Sequence, residues 1–308
     1  MRDAFARTVY DIAQETPNVF VVVADISPAS AMAPFLRDHA DRFINVGLCE
    51  QAMIGASAGL ALRGCTVFAY TIATFAIYRP FEQVRDDLCY QNVPVTVVGI
   101  GGGVQYSLLG GTHHAQEDIA VMSALPGMSI LAPCDPLETA AATWACARHS
   151  GPVYLRLGKA GEPNLTSEAP EPFVFGQVRL IRPGADVAIL SYGPIMRLGR
   201  EVAEQLTDSH GCSPALFSVH TLKPLDTTRL RQIFEEFRYV VVIEEHSERG
   251  GLAVMVKALA FDAGARCEVA TFSLRDEFIH AYGTHADLLS AHGITVHNIV
   301  TRVAASLK

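Results

Sequence analysis

The chain has 308 residues, half of them hydrophobic, with 18% charged residues and a mean hydropathy of +0.24. This length favours two domains, and this composition predicts large buried sheets or a large subunit interface. The net charge of -8, without any cluster of Lys and Arg, argues against nucleic acid and anionic membranes as electrostatic partners.

The amino terminus lacks the apolar core of a signal peptide, and apolar runs such as 19–24 are strand-sized. The sequence therefore predicts a cytoplasmic protein with no membrane partner. Its seven cysteines are odd in number and are never spaced as C-x-x-C. This usage indicates reduced thiols and neither a disulfide framework nor a thiolate metal site.

The first half of the chain alternates helical and strand patterns. In chain order, the predicted elements are a helix over 3–15, strands over 19–25 and 42–46, a helix over 51–63, a strand over 66–70, a helix over 75–90, strands over 94–100 and 128–132, a helix over 136–149 and a strand over 153–157. This alternation is typical of a parallel, doubly wound α/β domain.

Residues 161–172 contain three prolines and no apolar periodicity, which indicates a linker. A second alternation of strands and helices then runs from residue 187 to residue 272. We therefore predict an α/β protein with two consecutive open α/β sandwich domains and mainly parallel sheets. The domains are placed at 1–163 and 176–308, with a linker over 164–175.

Glu50 follows a predicted strand and a glycine, at the start of the Ala- and Gly-rich helix over 51–63. An acidic side chain there would lie at the carboxyl edge of a sheet, where α/β proteins form their clefts. Taken alone, a glutamate in the first turn of a helix is more often explained by the helix dipole.

Three aromatic residues, Phe75, Tyr78 and Phe81, are spaced three residues apart in the segment 74–81. On one face they could form a pocket for a flat heteroaromatic ligand, or simply a core stripe. Residues 99–104 fail the dinucleotide fingerprint because Val104 stands where its last glycine belongs. These glycines are better explained as letting the backbone approach a neighbouring group or a ligand closely.

Residues 110–118 read Gly-Gly-Thr-His-His-Ala-Gln-Glu-Asp. The adjacent His113 and His114 lack metal-ligand spacing, so proton transfer or contact with a substrate oxygen suits them better than zinc. A helix start capped by Thr112 is compatible with that function.

Five ordered segments together resemble the C-terminal half of transketolases and of the related deoxyxylulose-phosphate synthases. They are the Glu50 segment, residues 74–81, Gly110-Gly111-Thr112-His113, Leu125-Pro126-Gly127-Met128 and Leu222-Lys223-Pro224-Leu225-Asp226. The resemblance spans almost the whole chain and implies a pyrimidine-binding domain followed by the family's C-terminal domain.

The family's Gly-Asp-Gly motif, which holds Mg²⁺ and the diphosphate of thiamine diphosphate, does not occur in this sequence. The resemblance therefore implies the second subunit of a split transketolase. An N-terminal-type transketolase subunit would supply that motif and hold most of both cofactors, within a heterotetramer. The implied reaction moves a two-carbon ketol unit from a ketose or ketose phosphate to an aldehyde, both small-molecule substrates.

The resemblance also assigns roles to residues. Glu50 is implied to hydrogen-bond the aminopyrimidine ring of the cofactor, with Phe75, Tyr78 and Phe81 around that ring and Asp25 near it. The substrate contacts are implied to come from His113 and its neighbour His114, and from Arg156, which would grip a substrate phosphate.

Two departures limit the substrate assignment. Leu108-Leu109 stand where the family usually has an acidic residue, and Gly101 stands where it often has a histidine. These departures predict a donor or acceptor other than a standard pentose-phosphate intermediate. The alternatives are a β subunit of a 2-oxo acid dehydrogenase with a lipoyl-domain partner, and a non-catalytic thiamine-fold binding protein.

Overall fold

The computed structural model describes residues 1–26 and 30–307. In the first part of the chain, buried apolar strands alternate with helices that cover them. The elements in chain order are α1 (Arg2–Glu15), β1 (Val19–Val23), α2 (Ala33–Asp38), β2 (Phe43–Asn45), α3 (Glu50–Leu62), β3 (Thr66–Ile72), α4 (Ala73–Ile77), α5 (Phe81–Gln83), a π-helical segment (Val84–Tyr90), β4 (Val95–Ile100), α6 (Asp118–Ser123), β5 (Ser129–Leu131), α7 (Pro136–Arg148) and β6 (Val153–Leu157).

The second part of the chain repeats the alternation. Its elements are β7 (Arg179–Arg182), β8 (Val187–Ser191), α8 (Met196–His210), β9 (Pro214–Ser218), β10 (Thr221–Lys223), α9 (Thr227–Glu236), β11 (Tyr239–Ser247), α10 (Leu252–Asp262), β12 (Glu268–Leu274), α11 (His285–Ala291) and α12 (Val296–Ser306). Within the described parts of the chain, no helix is long and apolar enough to cross a membrane.

Two sheets organise these elements. The first has the strand order β10-β5-β6-β4-β3-β1-β2, and the second has the order β12-β11-β8-β9-β7. All neighbours pair in parallel except β10 with β5 and β7 with β9, which are edge pairs. The predicted class of two α/β domains with mainly parallel sheets is confirmed.

The two domains share buried structure. Strand β10 belongs to the second part of the chain, yet it pairs with β5 in the first sheet. From that strand Lys223 donates hydrogen bonds to the carbonyl oxygens of Ser123 (2.8 Å) and Leu125 (2.6 Å). One buried apolar cluster also continues from the first sheet to the helices α9 and α10. The second domain is therefore packed against the first and is not an independent appendage.

The predicted helix over 75–90 differs from the observed structure, which breaks between α4 and α5. Pro80 lies in the break, because proline lacks an N–H and disfavours the helical conformation of the residue before it, Arg79. The short edge strands β7 and β10 were not predicted, since three or four residues carry too little periodicity. Helix α12 was missed although Val296, Ile299, Val300 and Val303 have helical spacing.

Candidate active site

The carboxyl ends of the parallel strands in the first sheet bring the predicted residues to one edge. Asp25 follows β1, Glu50 follows β2 and begins α3, and Phe75 follows β3. The chain leaves β1 towards β2 on one side and reaches β3 on the other side, so the strand order changes direction at β1. Clefts in open α/β sheets form at such positions.

Glu50 is a buried carboxylate with a cationic partner. Its side chain is 3% exposed, and Oε1 accepts a hydrogen bond of 2.9 Å from Nη1 of Arg79. The same guanidinium lies over the ring of Phe75, 4.4 Å from its centroid. Arg79 itself is half-exposed, so its planar guanidinium lies between the Glu50 carboxylate and solvent.

His113 joins this group from the loop after β4. Its ring meets Phe75 edge to face, with 5.2 Å between centroids. Partial burial lowers the pKa of His113, and the positive charge of Arg79 lowers it further. The imidazole is therefore held neutral at neutral pH, a state in which one ring nitrogen can accept a proton or a hydrogen bond.

His114 points into the protein. The residue is 3% exposed, and neither ring nitrogen has a hydrogen-bond partner among the described residues. Burial lowers the pKa of His114. Both ring nitrogens are buried, so a substrate could contact His114 only after the ring turns towards the site.

The aromatic residues are only partly brought together. Phe75 contacts Arg79 and His113, as described above. Tyr78 turns towards the loop after β4 and donates a 2.8 Å hydrogen bond to Oε2 of Glu117. Phe81 packs against the buried apolar core. Phe75 thus lies beside the Arg79 that pairs with Glu50, Tyr78 is bonded to Glu117, and Phe81 packs against the apolar core.

Asp25 is exposed and has a positive φ of 44°, a conformation that aspartate tolerates better than most residues. Its backbone N–H donates to Oδ1 of Asn45 at 3.1 Å, and the N–H of Gly47 donates to the same oxygen at 3.0 Å. Asn45 therefore ties the end of β1 to the turn that leads to Glu50.

Arg156 is placed differently from its predicted contact with a substrate phosphate. The residue is 2% exposed, its Nε donates to Asp118 at 2.7 Å, and its Nη2 donates to the carbonyl oxygen of Glu245 at 2.9 Å. A phosphate contact would require Arg156 to exchange these bonds. In this conformation Arg156 supports the loop from behind.

The group that contacts Glu50 in this structure can be compared with the aminopyrimidine ring of thiamine diphosphate. The guanidinium of Arg79 is a flat group that donates to the carboxylate while stacking on Phe75. An aminopyrimidine ring is also flat and can share a proton with the same carboxyl group through a ring nitrogen. The residues around Glu50 therefore fit the pyrimidine half of this cofactor, provided that Arg79 moves aside.

Four residues at or behind this site were given no role by the sequence analysis. Arg79, Glu117 and Asp118 lie within segments that it singled out, and Glu245 lies in the second domain. A separate cavity of about 420 Å³ lies between the domains, lined in part by Gln105, Arg197 and His285. Glu50 and His113 do not line it, so we locate the site by its chemistry and not by this cavity.

Comparisons with known proteins agree with the fold. The family models for the transketolase pyrimidine-binding domain and the transketolase C-terminal domain match residues 1–162 and 176–299. A solved structure described as a split gene transketolase, inactive beta4 tetramer, superposes with a TM-score of 0.89 at 31% identity and covers 99% of this chain and 97% of that chain.

Two curated relatives are themselves subunits of transketolases. A subunit of the apulose-4-phosphate transketolase of Phocaeicola vulgatus is 32% identical over 260 residues, which are 84% of this chain and 83% of that protein. The 6-deoxy-6-sulfo-D-fructose transketolase subunit SqwH of a Clostridium species is 34% identical over 269 residues, which are 87% of this chain and 82% of that protein.

Replacing Arg79 by Gln should raise the pKa of His113 towards its ordinary value, because a positive charge beside the ring is removed. Titration of the His113 ring by NMR measures this, with the resonance assigned by its loss in His113→Asn. Arg85→Gln is the control, since Arg85 is exposed and paired with Asp86. An equal shift in both variants, or a lower pKa in Arg79→Gln, would contradict the electrostatic coupling.

Proposed function

The chain belongs to the transketolase family, as its motifs predicted, and we propose that it is the second subunit of a split, thiamine diphosphate-dependent transketolase. It would move a two-carbon ketol unit from a ketose or ketose phosphate to an aldehyde. The observation that carries this proposal is the buried carboxylate of Glu50, covered by a flat cation that stacks on Phe75 and has His113 beside it.

When bound, thiamine diphosphate supplies a nucleophilic carbon and an electron sink for breaking the bond next to a ketone. The chain's own part is to orient and to protect. The Glu50 carboxyl group would share a proton with the ring nitrogen of the aminopyrimidine in a site with little water, and would thereby hold and orient that ring. Phe75 holds the ring by stacking.

The substrate side is assigned to the loop after β4. Neutral His113 is the proposed contact for substrate oxygen atoms. His114 stays a proposed second contact, which would require its buried ring to turn towards the site. Leu108 and Leu109 are 71% and 52% exposed within this loop, just before the histidine segment, where a charged residue would read donor hydroxyls. We infer an apolar donor side and a donor that is not a standard pentose-phosphate intermediate.

The diphosphate and Mg²⁺ are assigned to a partner, an N-terminal-type subunit with the Gly-Asp-Gly motif, in a cytoplasmic heterotetramer. Helix α3 supports a closely packed partner because its exposed residues after Gln51 are small or apolar, namely Ala52, Gly55, Ala56, Gly59 and Leu62. The neighbour described as an inactive beta4 tetramer fits a chain that needs a second kind of subunit. Residues 164–175 stay the proposed linker, and Asp25 stays a proposed cofactor neighbour.

The alternatives receive less support. The curated relatives described above are named as parts of transketolases, which does not favour a 2-oxo acid dehydrogenase. A non-catalytic binding protein would have no need to keep Glu50, Phe75 and His113 linked through Arg79 at one edge of the sheet.

The purified chain alone should show no transketolase turnover, and adding an N-terminal-type subunit should restore it, because the diphosphate and metal ligands lie on the partner. Coupled assays of each chain and of the mixture, with thiamine diphosphate and Mg²⁺, measure this. Full turnover by the single chain would contradict the split-subunit proposal.

Glu50→Gln should lower kcat of the assembled complex by about 100-fold or more, because the amide keeps the volume but loses the proton-sharing carboxylate. Assembly, followed by size-exclusion chromatography, should be unchanged. The matched control is Glu82→Gln, an exposed glutamate on α5, which should retain normal kcat. An unaltered kcat in Glu50→Gln refutes the role given to this residue.

A donor screen should rank a non-standard ketose, with apulose 4-phosphate and 6-deoxy-6-sulfofructose as probes, above fructose 6-phosphate by about 10-fold or more in kcat/KM. The physical reason is the missing carboxylate at Leu108 and Leu109. Leu108→Asp should reduce this ratio of kcat/KM between the non-standard ketose and fructose 6-phosphate. Highest kcat/KM for fructose 6-phosphate would contradict the proposed donor class, and turnover of a 2-oxo acid would favour the dehydrogenase alternative.

A further inference from the structure

The carboxyl end of β11 places two consecutive glutamates in the protein interior with different partners. Glu244 serves its own domain, since it accepts hydrogen bonds from the N–H groups of Leu252 and Ala253 at the start of α10. Tyr192 and Ser273 of the same domain also donate to it. Glu244 therefore stabilises the start of α10, after the Gly250-Gly251 turn, through contacts within its own domain.

Glu245 points the other way, into the first domain. Its residue exposure is 1%, and its carboxylate accepts hydrogen bonds from the backbone N–H of Val104 at 2.7 Å and from Nε2 of Gln105 at 2.9 Å. His285, at the start of α11, completes its partners at 2.9 Å. One side chain of the second domain thus holds the loop that follows β4.

The glycines of that loop are explained by this contact. A Cβ atom added to Gly103 would lie 2.6 Å from the Glu245 side chain, and one added to Gly102 would lie 2.4 Å from Arg156. Gly103 also has a positive φ of 73°. The backbone has to approach the carboxylate and the guanidinium closely, which only glycine permits.

The same loop is joined to the histidine segment. Gly103 and Ala115 exchange backbone hydrogen bonds of 2.9 and 2.8 Å, and the N–H of Ser247 donates to the carbonyl oxygen of Gln116 at 2.8 Å. Ala115 directly follows His114. The end of β11 therefore supports His113 and His114 by two routes, one through Glu245 and Gly103 and one through Ser247.

We propose that Glu245 is a positioning residue of the substrate site, and that the C-terminal domain orders the loop carrying His113 and His114. The kinetic part of this inference rests on the proposed transketolase function. The role of the loop contact itself does not. Glu245 touches neither substrate nor cofactor in this arrangement; it acts through the backbone of Val104 and the side chain of Gln105.

The ionisation state of Glu245 is consistent with the proposed positioning role. Burial by itself raises the pKa of Glu245, but His285, Arg156 and the hydrogen bond from Gln105 together lower it, so the carboxylate stays ionised. Ionised carboxylates accept stronger hydrogen bonds from N–H groups than neutral acceptors do. The geometry of the loop is thereby held by charge-assisted bonds across the domain boundary.

Glu245→Gln is the primary variant, because the amide keeps its shape but places an NH₂ group where only donors face it. The double variant Glu245→Gln with Gln105→Glu restores one acceptor and one donor with the same total charge. Glu248→Gln, an exposed glutamate three residues further on, is the matched control. Gln105→Ala removes one donor without touching the carboxylate and serves if Glu245→Gln fails to fold.

In the assembled enzyme, Glu245→Gln should raise KM for the donor by about 10-fold or more and leave kcat within about 3-fold, since the substrate loop is loosened while Glu50 is untouched. The double variant should recover most of the loss, and Glu248→Gln should behave as the unmodified enzyme. Unchanged KM, or failure of the double variant to recover it, would overturn the positioning role.

Hydrogen exchange of the full chain without its partner gives a second readout. Peptides spanning 101–118 should exchange faster in Glu245→Gln and in Gln105→Ala, recover in the double variant, and stay unchanged in Glu248→Gln. Unchanged exchange overturns the proposal. If the unmodified complex has no transketolase activity while the exchange pattern is as expected, the proposed function fails and the loop contact stands.

Discussion

A carboxylate that is taken out of water has to find hydrogen-bond donors, and this requirement shapes the structure around the first sheet. Glu50 meets it with Arg79, and Asp118 meets it with Arg156 and the hydroxyl of Tyr154. Asp135 is fully buried and gathers the N–H groups at the start of α7 and of residues 165 and 166. In each case an acid fixes a loop or helix start that packing alone would leave free.

These acids also differ in what they can do. Asp118 and Asp135 have enough donors within the chain, so they are structural. Among the described residues, Glu50 has one side-chain donor, the half-exposed Arg79. The acids therefore differ in how deeply their donors are buried.

The contact between domains follows the same logic. Arg156 and Glu245 lie back to back under the loop that follows β4, so the loop is held by groups from both domains. The strand β10, which crosses into the first sheet, and the shared apolar cluster join the two domains further. The second domain thus supports a loop of the first domain through buried polar contacts.

Much of the fold was determined by the sequence. The buried runs of β1, β4 and β11 and the helical periods between strands predict two α/β domains because apolar periodicity is local. The order of short motifs likewise indicated the family, with Glu50 and His113 as site residues to test. The break at Pro80 also has a local cause, which the predicted helix over 75–90 missed, since proline interrupts a helix when it lies beyond the first turn.

The contacts of the site were decided by tertiary structure alone. Nothing in the sequence pairs Arg79 with Glu50, turns Tyr78 towards Glu117 or buries Arg156 under the loop, since these partners lie 29, 39 and 38 or more residues apart. Gly102 and Gly103 indicated a close approach, but not to which side chains. Residue types and spacing specify elements and candidate groups, whereas long-range packing decides which charges meet, because each buried charge must satisfy its hydrogen bonds with whatever the fold brings near it.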